Sequence, residues 1–392
     1  MKKIFSKAKL FVSETDKVLF LLILAASIFG ILMVHSTTIW GLEDGEAISR
    51  DATVMIIAAV AGLIITLIIS AIDYEFIMKL WPIIGGICVL LMLITLIFGV
   101  APESRPDAKS WLKFGSIYFQ TSELVKIGYV ITYSMHLELC RDTINKPLSV
   151  LLLGVHAMIP IGLVVLTGDM GSALVFMVMT VAMLYFAGLH IGFFAGGGLL
   201  AVAASPLIWM FVFGDYQKNR FLALFRPEEF PAESYQQLKG LNALGSGGLF
   251  GQGLFKGVYT QGGIVPESEN DMIFTAIGEE TGFFGCLVAL GLLFFIAFKM
   301  IKIGKNSRDF SSQLACYGIA SMIAAQVVIN IGMCLMLLPV IGITLPFFSA
   351  GGSSTLCLYI GVGLVFSIYR FNRSREAVNF RLSRIASPFY EI

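Results

Sequence analysis

Charge is what this sequence has least of. Asp, Glu, Lys and Arg make up only 14% of the 392 residues, where soluble domains carry about 25%. The shortfall is balanced, with 27 basic against 26 acidic side chains, so no one-signed field points to nucleic acid. The four histidines (His35, His136, His156 and His190) show no zinc-type spacing. The six cysteines (Cys88, Cys140, Cys286, Cys316, Cys334 and Cys357) include no CxxC pair, and five lie inside apolar runs. They read as small hydrophobes rather than disulfide halves or metal ligands. Together these absences exclude a disordered chain, a secreted disulfide scaffold and an ordinary soluble enzyme.

What the chain has instead is apolar sequence, 57% of all residues. A membrane-spanning helix needs about 20 mostly apolar residues. Ten stretches qualify, near 18–37, 53–72, 80–100, 123–139, 148–166, 170–188, 191–213, 272–298, 313–338 and 349–369. The first is too long for a signal-peptide core and lacks a clean cleavage site. With the N-terminus in the cytoplasm, 17 of the 27 Lys and Arg fall on the cytoplasmic side, nine outside, and Lys126 within a span. The positive-inside rule therefore places both termini in the cytoplasm. The expected fold is an all-α polytopic membrane protein of about ten transmembrane helices, with a long extracellular loop between helices 7 and 8. It forms one integral membrane domain over 1–392, with a cytoplasmic N-terminus (1–17), an extracellular loop (214–271) and a cytoplasmic tail (370–392). The aromatic content of 214–271 argues for order at the membrane interface.

Ionisable groups in or beside spans are expensive and mark candidate sites. Glu123 and Lys126 are three residues apart at the start of the fourth span, on one helix face. They read either as a local ion pair or as part of a polar cavity. Asp169, in Gly168-Asp169-Met170-Gly171-Ser172, reads as a cap for the sixth helix, a role compatible with a cavity. Glu267, Glu269 and Asp271 precede the eighth span, and Glu279 and Glu280 lie inside it. Asp271 and Glu279 would share a helix face if that helix began early enough. Adjacent carboxylates in a span cannot both face lipid, so Glu279 and Glu280 predict a polar cavity. In Asn330–Ser354, Pro339 and Pro346 break the apolar run. Gly351, Gly352 and Ser353 open the last span and offer helix N-terminal N–H groups to an anion. The glycines of 240–257 fit no phosphate-loop pattern and read as close packing or a substrate-contacting loop.

Five ordered motifs in this ten-span frame resemble the SEDS family of RodA, FtsW and SpoVE proteins over about residues 15–375. They are W-L-x-x-G…F-Q-x-S-E-L-x-K at 111–126, D-M-G-S-A-L at 169–174, A-L-G-S-G-G-L-F-G-x-G at 243–253, P-E-x-x-x-D-x-I-F-x-x-I-G-E-E-x-G at 266–282, and N-I-G-M…L-P-V-x-G-I-x-L-P-F-x-S-x-G-G-S-S at 330–354. The text FRPEEFPAESYQQ and the short termini are more similar to the RodA branch. Thr121 and Gly168 stand where the family usually has proline, Met272 departs from D-F-I-F, and Ala350 replaces a common tyrosine. None of these departures removes a charge.

The resemblance implies a peptidoglycan glycosyltransferase that polymerises lipid II (an undecaprenyl-pyrophosphate-linked disaccharide pentapeptide) at the outer face of the bacterial cytoplasmic membrane. It implies a class B penicillin-binding protein and elongation-complex proteins as partners, and a divalent cation, Mg or Mn, whose ligands the sequence does not reveal. The family's essential loop aspartate maps onto Asp271. Its span residues map onto Glu123, Lys126, Asp169 and Glu279 or Glu280. Asp271 is then the expected base, and Lys126, Lys113 and Arg220 are candidate pyrophosphate partners. The competing functions are a lipid II flippase, or the division or sporulation version of the same enzyme.

Overall fold

The computed structural model describes residues 15–41, 48–101, 108–115 and 117–386. The predicted charges Lys2, Lys3, Lys7, Lys9 and Arg105 lie outside these residues, as do the side chains of Arg375, Arg381 and Arg384. All ten predicted spans are helices: α1 (Lys17–Thr38), α2 (Arg50–Ala71), α4 (Trp81–Phe98), α5 (Thr121–Leu139), α6 (Pro147–Leu166), α7 (Met170–Phe186), α8 (Ile191–Phe211), α12 (Ile273–Lys305), α13 (Phe310–Cys334) and α14 (Gly352–Ala386). A short α3 (Tyr74–Lys79) links α2 to α4, and α9 (Asp215–Ala223), α10 (Pro231–Ser246) and α11 (Val258–Gln261) order the long loop. Among the described residues, eight helices are long and apolar enough to cross a membrane. Of the other two, α7 is shorter and α5 is too polar.

The polar α5 survives because it is central. Most of it is buried, against α4, α13 and α14. Helices α13 and α14 are the other heavily buried elements, and α14 lies along α2 while α13 pairs with α7 and α12. At the other extreme, α8 has no buried residue, and its side chains face the surroundings all round. Helix starts follow local chemistry: Asp16 accepts from Leu19 N (2.9 Å), and Asp169 accepts from Ser172 N (3.1 Å), each satisfying an orphan donor.

Three boundaries differ from expectation. The ninth and tenth spans stop and start around an irregular stretch, 335–351, because Pro339 and Pro346 cannot continue a helix. The last helix runs on to Ala386 rather than ending near 369. The segment after α4 forms an unpredicted hairpin, β1 (Trp111–Phe114) and β2 (Ile117–Gln120), paired antiparallel from Trp111↔Gln120 to Phe114↔Ile117. Gly115, at φ +62°, makes its turn. All six cysteines are free thiols.

Candidate active site at the loop end of the bundle

Helix α12 is broken at Gly282, whose φ of 68° and ψ of −168° are not helical. A break at membrane depth leaves backbone groups unpaired unless protein supplies partners. Here the glycine-rich segment after α10 does so. Phe283 N donates to Gly248 O (2.9 Å) and Phe284 N to Leu249 O (3.2 Å), while Gln252 N donates to Glu279 O (2.9 Å) and Gly253 N to Glu280 O (3.0 Å). The approach requires glycine on both sides. A Cβ on Gly282 would stand 2.3 Å from Gly251 N, and one on Gly251 would stand 2.1 Å from Glu280 O.

The side chains of Glu279 and Glu280 grip the same loop. Glu279 accepts from Tyr259 N (2.7 Å), Thr260 N (2.8 Å) and Thr260 Oγ1 (2.6 Å). Glu280 accepts from Ser36 Oγ (2.7 Å) and Gln261 Nε2 (3.0 Å). Both are fully desolvated, at 0% and 1% exposure, and charge-assisted bonds of this kind are the strong ones. The two carboxylates therefore join α12, α1 and the 257–261 turn.

Asp271 does not share a helix face with Glu279, because α12 begins only at Ile273. A tight turn precedes it. Glu267 takes φ +56°, a strained conformation for a non-glycine residue, and its carbonyl accepts from Asn270 N (3.0 Å) and Met272 N (3.1 Å). Asn330, fully buried on α13, donates to Asp271 O (2.8 Å) and Ile343 O (2.7 Å). Ser349 Oγ donates to Asn270 O (2.6 Å), and Ala350 N donates to Glu269 O (2.8 Å). Three segments (267–272, α13 and 343–350) thus fix the backbone that carries Asp271. Its carboxylate receives a long contact from Gln236 Nε2 on α10 (3.4 Å), which also donates to Pro266 O (3.1 Å). Sequence reasoning did not single out Gln236. The Gln pair in FRPEEFPAESYQQ was its only signal.

Glu269 is half-buried beside Asp271. Burial pushes its carboxyl up from 4.5 to about 7, and the negative charges of Glu267, Asp51 and Asp271 add to this. A folded-state value above the unfolded one means that stability is complete below pH ~4.5, falls as pH rises towards 7, and is flat above. Glu269→Gln removes that loss. Thermal melts should show the variant gaining more over the wild type at pH 8 than at pH 5. An equal difference at both would contradict it.

Glu123 and Lys126 form an ion pair of 2.7 Å, with the lysine at 0% exposure. They sit beside a cleft of about 10 Å³ lined by Glu123, Gln326, Ser349, Ser354 and Thr355 among others. That volume admits about one water. Removing one partner of a buried pair typically costs about 3–5 kcal/mol, and replacing both by apolar residues costs less. Glu123→Ala should therefore melt well below the Glu123→Leu/Lys126→Leu double variant. A double variant as unstable as the single one contradicts this account of the pair.

Asp169 is enclosed, accepting from Gln120 Nε2 (2.9 Å) and Ser122 Oγ (3.0 Å) as well as from Ser172 N. Ser353 lies close by, its Oγ accepting from Gln120 N (3.4 Å), and Gly351 and Gly352 lead into α14 from there. Arg220 is occupied elsewhere: it donates to Val340 O (2.8 Å) and stacks on Tyr216 (4.4 Å). Lys113 is exposed on β1, 5.2 Å from the Tyr118 ring centre. Ser349 links the Glu123 cleft to the Asp271 turn, whereas Glu279 and Glu280 face the loop, and Lys113 and Arg220 belong to other surfaces. Among the described residues no group of three or more His, Cys, Asp or Glu side chains could hold a metal ion.

The sequence pattern of the family described as "Cell cycle protein", that of FtsW, RodA and SpoVE, matches residues 16–374. The chain belongs to this family. Among its relatives is a probable peptidoglycan glycosyltransferase FtsW of Trichlorobacter lovleyi, 30% identical over 91% of this chain and 93% of that protein. The peptidoglycan glycosyltransferase MrdB of Escherichia coli is 28% identical over 90% and 93%, and stage V sporulation protein E of Bacillus subtilis is 30% identical over 92% and 98%. A chain from a solved structure, described as a peptidoglycan synthase complex coordinating polymerization and crosslinking, superposes with a TM-score of 0.75 at 25% identity, over 91% of this chain and 98% of that one. RodA of Thermus thermophilus shares the fold, with a TM-score of 0.67 at 24% identity over 91% and 97%. This protein is thus a multi-pass membrane member of the FtsW/RodA/SpoVE family.

Proposed function

We propose that this family member is a peptidoglycan glycosyltransferase that extends glycan strands from lipid II, with Asp271 as the base. The observation that carries the reading is the bracing of Asp271. Its backbone is held from α13 and from 343–350, in a chain whose relatives are named peptidoglycan glycosyltransferases.

In the reaction, Asp271 takes the proton of the acceptor's 4-hydroxyl as that oxygen attacks the donor's anomeric carbon. The new C–O bond forms as the bond to the lipid pyrophosphate breaks, and the lipid pyrophosphate departs. One base and no covalent intermediate give inversion at the anomeric carbon. Gln236 orients the carboxylate from α10. Of the three candidate cations Lys113 alone is exposed, and it lies on the hairpin rather than at the Asp271 turn. Lys126 is committed to Glu123, and Arg220 to Val340 and Tyr216. The Glu123 cleft is too narrow for a sugar, so Glu123, Lys126 and Asp169 hold the helices behind the turn.

A divalent cation suits the chemistry, since Mg²⁺ is commonly held by one or two carboxylates together with substrate phosphates. Glu269 and Asp271 are the residues to offer it, and the proton transfer above needs no step through it. The positive-inside pattern supports a loop end outside the bacterial cytoplasmic membrane and both termini inside. The FRPEEFPAESYQQ text favours the elongation branch, with a class B penicillin-binding protein and elongation-complex proteins as partners.

The deciding experiment reconstitutes the purified protein with its cognate penicillin-binding protein, labelled lipid II and Mg²⁺ or Mn²⁺. Glycan ladders are expected. Transfer of lipid II across the vesicle without polymer would replace this reading with a flippase.

A further inference from the structure

The opposite end of the bundle carries a second polar recess. Ser36, near the end of α1, touches Glu280 and Gln261 at the loop end. Asp16 caps the other end of the same 22-residue helix, so at about 1.5 Å rise per residue it lies roughly 30 Å away. That is about the thickness of a bilayer's hydrocarbon core. There Asp16, Lys299, Lys302, Asn306, Tyr369 and Arg373 line a recess of about 410 Å³ between α1, α12 and α14, the size of a small-ligand site.

Its charge is unbalanced. Lys299 is neutralised by Asp16 (2.7 Å). Among the described residues, Lys302 and Arg373 have no acidic partner. Arg373 donates to Tyr369 Oη (3.3 Å), which leaves that hydroxyl's own proton free to donate. The recess therefore offers two uncompensated cations and a hydroxyl donor, with the Asn306 amide beside them. Its walls are spanning helices, and it sits at the height of a headgroup.

We propose that this recess binds a phosphate group, carried by an acidic phospholipid of the leaflet opposite the loop. Basic pockets between helices at a membrane interface recognise such headgroups by charge and hydrogen bonding. Soluble phosphate offers the same chemistry without the acyl chains that would lie along α1 and α14.

Each basic residue near an acidic lipid surface changes affinity by about fivefold, so Lys302→Gln/Arg373→Gln should weaken binding by about twenty-five-fold. The full-length protein would be placed in phosphatidylcholine nanodiscs and titrated with phosphatidylglycerol, with retained lipid counted by native mass spectrometry. The expected result is one strongly retained phosphatidylglycerol in the wild type, lost in the double variant. A control that removes two charges at the other end, Lys218→Gln/Lys239→Gln, should keep it. Asp16→Asn, which still caps α1 but frees Lys299, should bind more tightly. Equal retention in wild type and double variant overturns the site. Displacement of the lipid by inorganic phosphate at equal concentration overturns the lipid as its source.

Discussion

Gly282→Ala is expected to lower the melting temperature sharply and to take polymerisation with it. Two costs add. The backbone at φ 68° and ψ −168° lies in a region open essentially only to glycine, at about 1–3 kcal/mol for another residue. The new Cβ would also stand within 2.6 Å of Gly251 N and of the Leu249 carbonyl, and neither is a flexible side-chain tip. Relief requires the 248–253 backbone to move, and that breaks bonds which pair the open helix. A loss of roughly 3 kcal/mol or more follows. Gly291→Ala is the control. It lies in the same helix, and its added Cβ meets nothing within 4 Å, so it should be neutral or stabilising by up to about 1 kcal/mol. Melts of the two variants side by side decide the matter, and similar stability in both would refute the role given to the break.

Asp271→Asn is expected to abolish glycan synthesis while leaving the fold intact. Asparagine keeps the shape of the side chain, and Asn330 holds the position through the Asp271 carbonyl, which the change does not touch. General-base catalysis contributes about 10²- to 10⁴-fold, so ladder formation should fall by that factor, with melting within about 0.5 kcal/mol of wild type. Gln236→Ala should show a smaller loss, since it orients the carboxylate rather than replacing it. Full activity in Asp271→Asn would remove Asp271 from the chemistry. An equal fall in stability and activity would make it structural.

Much of this arrangement is legible in the sequence because lipid makes the code simple. A helix that pairs its own backbone groups and faces hydrocarbon must be long and apolar, so all ten spans stand out as apolar runs in the sequence. Within α5, Glu123 and Lys126, three residues apart, left open a local ion pair or a cavity, and the structure forms the pair. The hairpin went unread, although Gly115 between Trp111–Phe114 and Ile117–Gln120 is a turn signal between strand-forming residues. Long-range partners were beyond reach. His136 and His156 look unrelated in sequence, yet antiparallel α5 and α6 bring their Nδ1 atoms to 2.9 Å. Glu279 and Glu280 signalled a polar surrounding, but nothing local showed that a loop some twenty residues earlier supplies it. The expected common face of Asp271 and Glu279 failed because the Glu267 turn delays the helix start.

The loop threaded through the break in α12 also bears on how the protein enters the membrane. Residues 248–253 are synthesised before 279–284, and each group left unpaired in hydrocarbon costs several kcal/mol. If α12 crossed the bilayer first, it would do so with the Glu279 and Glu280 carbonyls and the Phe283 and Phe284 amides exposed. The low-cost order is for the glycine segment to be in place already, so that span and loop settle as one unit. With the loop outside the membrane, as proposed above, its translocation would be a step in the insertion of the helix that follows it.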